Sequence, residues 1–267
     1  MSLERLHEHR RVWRAKPVLA RVYEPWFSAL LEAVPHGARV LEAGAGPGFL
    51  EEAARERRPD LRWIASDLHP VPWNDLAADA SRLPLASASI DAVLGLDVLH
   101  HLAAPAAFFR EAARVLREGG RLALVEPWIS PLSWVVYRFL HEELCRLSVD
   151  PWDPFPAAGK DSFDGDAAVP WKIVRETSPA CWRTLGFLPP RAVRRNAFGY
   201  LLSLGFRSAS LLPVPLAAPM ASLDRLTRPL ALLTALRAEL AWQKAPEADA
   251  TPPAGFTGAE RRAPRAG

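Results

Sequence analysis

Short apolar runs alternate with helical segments through the first half of the chain. The runs are rich in Val, Ile and Leu and occupy residues 38–43, 61–67, 90–96 and 120–126. Helix-like segments lie between them at 48–58 and 105–117. Strands that alternate with helices in this way are typical of a parallel sheet whose strands are joined by crossover helices. We therefore expect an α/β fold built on a doubly wound sheet.

The segments on either side of this alternation follow other patterns. Residues 3–34 carry apolar side chains at spacings of three or four and end at His36-Gly37, which predicts one helix. Residues 127–236 hold five of the ten tryptophans, and we expect them to form a helical lid insertion. Two more strands are expected within 191–202 and 236–244. The Ala/Pro/Gly-rich residues 246–267 predict a disordered tail.

The composition excludes several classes of protein. With 49% hydrophobic and 24% charged residues, the 267-residue chain has a globular make-up. The net charge of +3 is too small for the field of a typical nucleic-acid binder, so we expect no nucleic-acid partner. The chain has only two cysteines, and its start lacks an apolar leader. Because prolines and charges also interrupt the apolar stretch 211–242, the sequence predicts a cytoplasmic protein without a membrane span.

A glycine-rich turn follows the first predicted strand. In VLEAGAGPGF (40–49) the glycines stand at 44, 46 and 48, and such a turn lets a ligand press against the backbone. A nicotinamide dinucleotide would need G-x-G-x-x-G, and the third glycine comes one residue early. Glu42 would also repel a pyrophosphate. The carboxylate suits S-adenosylmethionine instead, which has an ammonium, a sulfonium and no phosphate.

Acidic residues follow the next elements at the same predicted edge of the sheet. Asp67 ends the second strand, where a carboxylate can accept hydrogen bonds from ribose hydroxyls, of NAD and S-adenosylmethionine alike. Asp79 could bond an adenine amino group and the Ala80 amide an adenine ring nitrogen, although an Asp-Ala pair can equally be a simple turn.

These motifs together resemble those of a known enzyme family. LEAGAGPGF, ASDL, DASRLPLASASIDAVLGLDVLHHL and REAARVLREGGRLALVEP follow in order over residues 38–127. They resemble the successive motifs of class I S-adenosylmethionine-dependent methyltransferases, in the type 11 branch that includes ubiquinone and menaquinone methyltransferases. Residues 127–245 do not resemble the quinone enzymes. EPWISPLSWVVYRF and FGYLLSLGF resemble instead a bacterial subgroup met beside polysaccharide, lipid or pigment biosynthesis genes.

The resemblance implies a Rossmann-like, seven-stranded doubly wound sheet with S-adenosyl-L-methionine as cofactor. Its domain organisation would be an N-terminal helical cap (1–37), a methyltransferase domain (38–245) that contains the lid, and the tail. The cofactor contacts that it implies are Glu42, Gly44, Ala45, Gly46, Gly48, Asp67, Leu68, Asp79, Ala80, Leu96 and Asp97.

The chemistry of methyl transfer to a hydroxyl requires positioning and a base. His101 follows the fourth strand of the alternation, where the acceptor should enter, and His141 is the second candidate. Either histidine could equally be a structural residue. We identify no third, well-spaced ligand that would complete a metal site, so no metal is expected.

Aromatic residues are the candidates for binding the acceptor. They are Trp13, Tyr23, Trp128, Trp134 and Trp171, and their alternative role is core packing.

The most specific function expected is O-methylation of a hydrophobic or aromatic small molecule in secondary metabolism. An alternative acceptor is a lipid-linked, polysaccharide or polyene-type pigment intermediate, which would bring peripheral contact with the inner membrane. An alternative of another class is a noncatalytic scaffold with the same fold. The oligomeric state stays open.

Overall fold

A seven-stranded mixed sheet forms the centre of the protein in a computed structural model that describes residues 2–32, 34–155 and 160–246. The strands are β1 (Arg39–Ala43), β2 (Arg62–Asp67), β3 (Leu76–Ala77), β4 (Ile90–Leu96), β5 (Leu116–Pro127), β6 (Arg191–Arg195) and β7 (Arg237–Gln243). Their order across the sheet is β3-β2-β1-β4-β5-β7-β6, with the first five parallel and β7 antiparallel to both neighbours. The expected seven-stranded Rossmann-like fold is confirmed.

Helices cover both faces of this sheet. They are α1 (Ser2–Ala15), α2 (Val18–Glu32), α3 (Phe49–Arg57), α4 (Pro105–Val115), α5 (Pro131–Phe139), α6 (Ala168–Glu176), α7 (Pro179–Thr184), α8 (Phe198–Ser203), α9 (Ala217–Leu226) and α10 (Ala231–Thr234). None of the described helices is long and apolar enough to cross a membrane.

The central strands are apolar throughout because both of their faces are covered. Leu41 and Val93 belong to one buried cluster, which also contains Phe109 and Trp182. Their neighbours Val40 and Leu94 belong to a second cluster on the other face, packed under α2. Side chains alternate between faces along a strand, so both positions of each pair must be apolar. This explains the continuous runs that the sequence shows.

The N-terminal segment forms two helices, although the spacing predicted one over residues 3–34. α1 ends at Ala15 and α2 begins at Val18, because Pro17 has no N–H to donate and disfavours a helical conformation at Lys16. Lys16 is buried, and its Nζ donates to the carbonyl oxygens of Ser203, Gly205, Arg207 and Ala209 at 2.5–2.9 Å. The interruption therefore anchors the N-terminal helices to the loop after α8.

The range predicted to form a lid is not one continuous insertion. Strand β6 lies inside the predicted range 127–236, and residues 128–190 and 196–236 flank it. The strand expected over 191–202 is half wrong, because Asp224 accepts the backbone N–H groups of Phe198 and Gly199 and so supports the start of α8 there. The strand expected within 236–244 is present as β7. Residues 247–267 of the predicted tail lie outside the described residues.

Candidate functional site

The turn between β1 and α3 contains the glycine motif. Gly44, Gly46 and Gly48 have φ angles of +68°, +51° and +78°. Residues other than glycine rarely adopt these positive values. A Cβ on Gly44 would also come within 2.5 Å of the Val98 Cγ2 atom. The turn is held from outside by Trp73, whose Nε1 donates to the Gly46 oxygen at 2.8 Å. The result is an ordered turn whose Gly44 and Gly46 are half-buried.

A cavity of about 460 Å³ opens beside this turn, at the carboxyl ends of the parallel strands. Arg5, Leu6 and His9 of α1 line one side of it. Residues 160–163, from the segment before α6, line another. Ligands of open α/β sheets bind at this edge, where the strand order reverses.

Ten of the eleven predicted cofactor residues line the cavity, namely Glu42, Gly44, Ala45, Gly46, Asp67, Leu68, Asp79, Ala80, Leu96 and Asp97. Gly48 does not. It caps the start of α3, and a Cβ there would meet Trp73 Cδ1 at 2.9 Å. Its positive φ is thus a requirement of the helix start and of packing, which explains why the motif includes it.

Two carboxylates flank the glycine turn. Glu42 is 3% exposed, and its Oε2 accepts the Trp63 indole N–H at 3.0 Å. Burial raises the pKa of Glu42 to about 8, against the opposing effect of the Trp63 hydrogen bond. Asp67 accepts the Gly46 N–H on Oδ2 at 2.8 Å and the His69 N–H on Oδ1 at 3.0 Å. Each Asp67 oxygen can accept further hydrogen bonds from a ligand.

Asp79 lies further along the cavity, where its Oδ1 accepts the backbone N–H of Ser81 at 2.8 Å. This is the local turn that the sequence allowed as an alternative, and the residue also lines the cavity, so the two interpretations are compatible.

His100, another residue that lines the cavity, is buried between two carboxylates. Its Nδ1 lies 2.6 Å from Glu126 Oε2, and its Nε2 lies 3.4 Å from Glu143 Oε2. Burial disfavours the charged ring, but Glu143 and Glu126 outweigh burial and raise the pKa of His100 to about 10. Glu126 also accepts the backbone N–H groups of Val98 and Leu99, which fixes the carboxylate.

His101, the first predicted base, also lines the cavity. Its Nδ1 lies 3.2 Å from the Asp164 carbonyl oxygen and its Nε2 lies 3.7 Å from Glu143 Oε1. The sequence suggested an unperturbed pKa near 6.5. Burial and the neighbouring His100 instead lower the pKa of His101 to about 4. The ring is therefore neutral at pH 7.

His141, the second candidate, lines the cavity as well. Its Nδ1 accepts the Glu143 backbone N–H at 3.3 Å, and burial lowers its pKa. The sequence identified no third well-spaced ligand beside these histidines, and a carboxylate from a distant segment lies near them in the structure. Glu143 reaches both His100 and His101, because the segment after α5 folds across the end of β4.

Sequence reasoning missed two residues: Arg237, which lines the cavity, and Glu126, which is fully buried behind His100. Arg237 forms an ion pair with Asp97 (Nη2–Oδ1 2.5 Å), and its guanidinium lies 4.5 Å from the Trp26 ring centre. Its buried Nε has no hydrogen-bond partner among the described residues. The position of Glu126 at the end of a parallel strand was a usable signal. Arg237 could not be found in this way, because it begins an antiparallel strand.

The predicted acceptor residues are distributed differently from expectation. Tyr23 lines the cavity, but four tryptophans do not. Trp13 stacks on Phe49 with ring centres 4.1 Å apart, and Trp128 is 3% exposed in the core. Trp134 is partly exposed on α5, and Trp171 lies under the Arg175 guanidinium. The aromatic side chains that do line the cavity are Tyr23, Phe49, Tyr137, Phe163, Tyr200 and Phe206.

The comparisons with known proteins agree with this geometry. Residues 28–124 match the type 11 family described as a methyltransferase domain. An uncharacterized methyltransferase of Mycobacterium sp. (strain KMS) is 32% identical over 128 residues, which are 45% of this chain and 50% of that protein. The demethylmenaquinone methyltransferase of Beutenbergia cavernae is 31% identical over 174 residues, 63% of each chain. The chain thus spans about half the length of the first of these curated relatives.

A solved structure shows the same fold. The geranyl diphosphate C-methyltransferase of Streptomyces coelicolor A3(2) superposes with a TM-score of 0.53 at 13% identity, over 87% of this chain and 84% of that one. Fold, glycine turn and sequence relatives make this chain similar to the class I S-adenosylmethionine-dependent methyltransferases. Within that class, the family model that residues 28–124 match is that of the type 11 methyltransferases.

Proposed function

We propose that this chain transfers a methyl group from S-adenosylmethionine to an oxygen of a hydrophobic or aromatic small molecule. One observation carries the proposal: the buried Glu42 carboxylate and the glycine turn line the same cavity as several aromatic residues and histidines. These two groups of residues suit two ligands of different chemistry in one space. The bound cofactor would supply an electrophilic methyl group on a sulfonium.

The donor set at the glycine turn fits this cofactor. Glu42 is buried, and it would gain a counter-charge from the ligand's ammonium group. Asp67 is oriented by Gly46 and His69 and keeps lone pairs for ribose hydroxyls. A dinucleotide fits less well, because its pyrophosphate would lie close to these carboxylates.

The acceptor would lie between the tyrosines and the histidines. Tyr23, Tyr137 and Tyr200 offer flat apolar walls to a hydrophobic or aromatic molecule. His101 Nε2 and Glu143 Oε1 lie at the end of the cavity, and both accept hydrogen bonds when His101 Nδ1 carries its proton toward Asp164. An acceptor hydroxyl could donate to either of them. The contribution of the chain to the rate is then mostly positioning of the two ligands.

Calorimetric titration with S-adenosylhomocysteine, with NAD as the comparison ligand, tests the proposal. We expect saturable binding of S-adenosylhomocysteine and none of NAD. Tight NAD binding without a response to S-adenosylhomocysteine would contradict it. Methyl transfer from labelled S-adenosylmethionine to a panel of phenols, carboxylic acids and amines would then identify the acceptor atom.

A second candidate is a lipid-linked acceptor reached at a membrane surface. α10 packs against α5, and these helices and the segment before α10 carry exposed apolar side chains. We call this the leucine surface: Val135, Phe139, Leu140, Leu226, Leu230, Leu232 and Leu233, all more than 40% exposed. Arg138, Arg225 and Arg228 stand within the same segments. Large exposed apolar patches with basic neighbours favour an anionic interface.

Vesicle co-sedimentation tests the second candidate. If it holds, the protein should sediment with vesicles that contain anionic phospholipid, and replacing Leu232 and Leu233 by Ser should abolish this. The relative from Beutenbergia, named for demethylmenaquinone, is consistent with an acceptor of this kind. If the protein does not sediment with the vesicles, the second candidate is contradicted and the acceptor is a freely diffusing molecule.

A further inference from the structure

Three side chains converge at the acceptor end of the cavity from two separate parts of the chain. His100 and His101 form a short 3-10 turn after β4, and Glu143 comes from the segment that follows α5. One nitrogen of each ring and one oxygen of the carboxylate all lie within 4.8 Å of one another.

The separations within this group are longer than those of most hydrogen bonds. His100 Nε2 lies 3.4 Å from Glu143 Oε2, and His101 Nε2 lies 3.7 Å from Glu143 Oε1. An N–H···O hydrogen bond is usually about 2.7–3.2 Å long. Two ligands that each lie about 2.0–2.2 Å from one zinc ion at tetrahedral angles are roughly 3.3–3.6 Å apart. The His100 separation falls in this range, and the His101 separation, which is to the other carboxylate oxygen, lies just beyond it.

The orientation of both rings is fixed by contacts to their Nδ1 atoms, on the side away from Glu143. His100 Nδ1 lies 2.6 Å from Glu126 Oε2, and His101 Nδ1 lies 3.2 Å from the Asp164 carbonyl oxygen. A carbonyl oxygen only accepts, so Nδ1 of His101 carries the proton and the Nε2 lone pair faces Glu143. Metal-binding histidines are commonly fixed by a carboxylate or carbonyl on the other nitrogen in this manner. His100 would bind an ion through Nε2 and would release the Nε2 proton to solvent on binding, because an imidazole ligand is neutral.

The backbone of Gly165 packs closely against the His100 and His101 rings. A Cβ at this position would lie 2.8 Å from His101 Cε1 and 2.9 Å from His100 Cδ2. The backbone beside it is tied to the same turn, since the Asp166 N–H donates to the His100 carbonyl oxygen at 3.0 Å. A larger residue would push the rings apart, so glycine is needed for this close approach.

We propose that His100, His101 and Glu143 bind one divalent transition-metal ion, with zinc as the ion that the donor set suits best. Two imidazole nitrogens and a carboxylate form a three-ligand set of the kind that leaves a fourth position open. That position would face the cavity. It would take an oxygen of the acceptor, and this contact would replace a direct hydrogen bond from the acceptor to His101 or Glu143. This role rests on the proposed function, whereas the metal site itself does not.

Calorimetry on the chelator-treated full-length protein tests the site, with Zn²⁺ as the titrant and a competing chelator in solution. We expect one ion per chain. His101→Gln and Glu143→Gln should each weaken binding at least tenfold, because each removes one ligand. His36→Ala is the matched control, since His36 is an exposed histidine 3.9 Å from the Asp60 carboxylate and models adventitious surface binding. It should leave affinity unchanged.

Three results would overturn the site: no Zn²⁺ binding, binding that is unaffected by either glutamine variant, or binding that His36→Ala removes. Visible absorption of the Co²⁺-loaded protein gives a second readout, with an intense tetrahedral spectrum expected in the wild type and lost in Glu143→Gln. S-adenosylhomocysteine titration of the same samples separates the proposals. Cofactor binding without metal binding would refute the metal site alone, and the reverse would refute the proposed function alone.

Discussion

The Asp67 carboxylate accepts the backbone N–H of Gly46 at 2.8 Å, across 21 residues of sequence. The residue proposed to bind the cofactor ribose therefore also orients the turn on which the cofactor would lie. Ligand contact and turn geometry depend on the same side chain, which makes Asp67 a sharp test of the site.

Replacing Asp67 by Ala should weaken S-adenosylhomocysteine binding by about 1.5–3 kcal/mol, roughly 10- to 150-fold, because hydrogen bonds to a charged group are lost. Isothermal titration measures this. Asp75→Ala is the matched control: Asp75 Oδ2 accepts the Ala65 N–H at 2.9 Å in the same way, but Asp75 does not line the cavity. Equal affinity in wild type and Asp67→Ala would place Asp67 outside the cofactor site.

The buried Glu42 predicts a pH effect on the ligand-free protein. Burial, with Glu51 and Asp67 nearby, raises its pKa to about 8 against the Trp63 hydrogen bond, whereas an unfolded glutamate titrates near 4.3. Between these values the folded state holds a proton that the unfolded state has released. The contribution of Glu42 to stability is therefore present at low pH and is lost progressively as the pH rises from about 4.3 to 8.

Glu42→Gln removes this dependence. The melting temperature of the variant, relative to wild type, should rise from pH 5 to pH 8. S-adenosylhomocysteine should stabilise the wild type more than the variant at pH 8, since its ammonium would offset the buried charge. A wild-type-to-variant difference that stays constant with pH would show that Glu42 does not titrate in this range.

Replacing Trp128 should lower the stability of the protein rather than its affinity for the acceptor, and replacing Trp134 should change neither strongly. Trp128→Ala should cost about 3–5 kcal/mol of folding free energy, as large-to-small changes in a core do. Trp134 is 36% exposed, so Trp134→Ala should cost much less. Chemical denaturation measures both. An unaltered stability of Trp128→Ala, with a raised KM for the acceptor, would return Trp128 to the acceptor pocket.

Lys16 should hold the N-terminal helices to the rest of the protein. Lys16→Met keeps the length of the side chain but removes the charge that bonds four carbonyl oxygens. We expect a loss of about 1.5–3 kcal/mol and faster proteolysis before residue 38. The control is Arg14→Met on the exposed side of α1. If the two variants are cleaved at the same rate, the Lys16 contacts do not anchor the helices.

Local sequence determined the sheet and the glycine turn. The strands at 38–43 and 90–96 could be predicted because burial on both faces requires an unbroken apolar run, and this is visible without any partner. The turn at Gly44 and Gly46 could be predicted because a positive φ and close backbone approach restrict the residue type at each position. The break at Pro17 was also present in the sequence, but the continuous apolar spacing on both sides concealed it.

Only the tertiary structure decided which side chains meet at the acceptor end. His100, Glu126, Glu143 and Arg237 lie far apart along the chain, and no local pattern relates them. Tryptophan and tyrosine side chains are both large and mostly apolar. The positions of these residues in the sequence therefore did not show which of them would face the core and which would face the cavity. Their placement depends on how residues 128–190 and 196–236 pack around β6. The pKa values of His100 and His101, on adjacent residues, move in opposite directions for the same reason: they depend on burial and on distant carboxylates rather than on sequence neighbours.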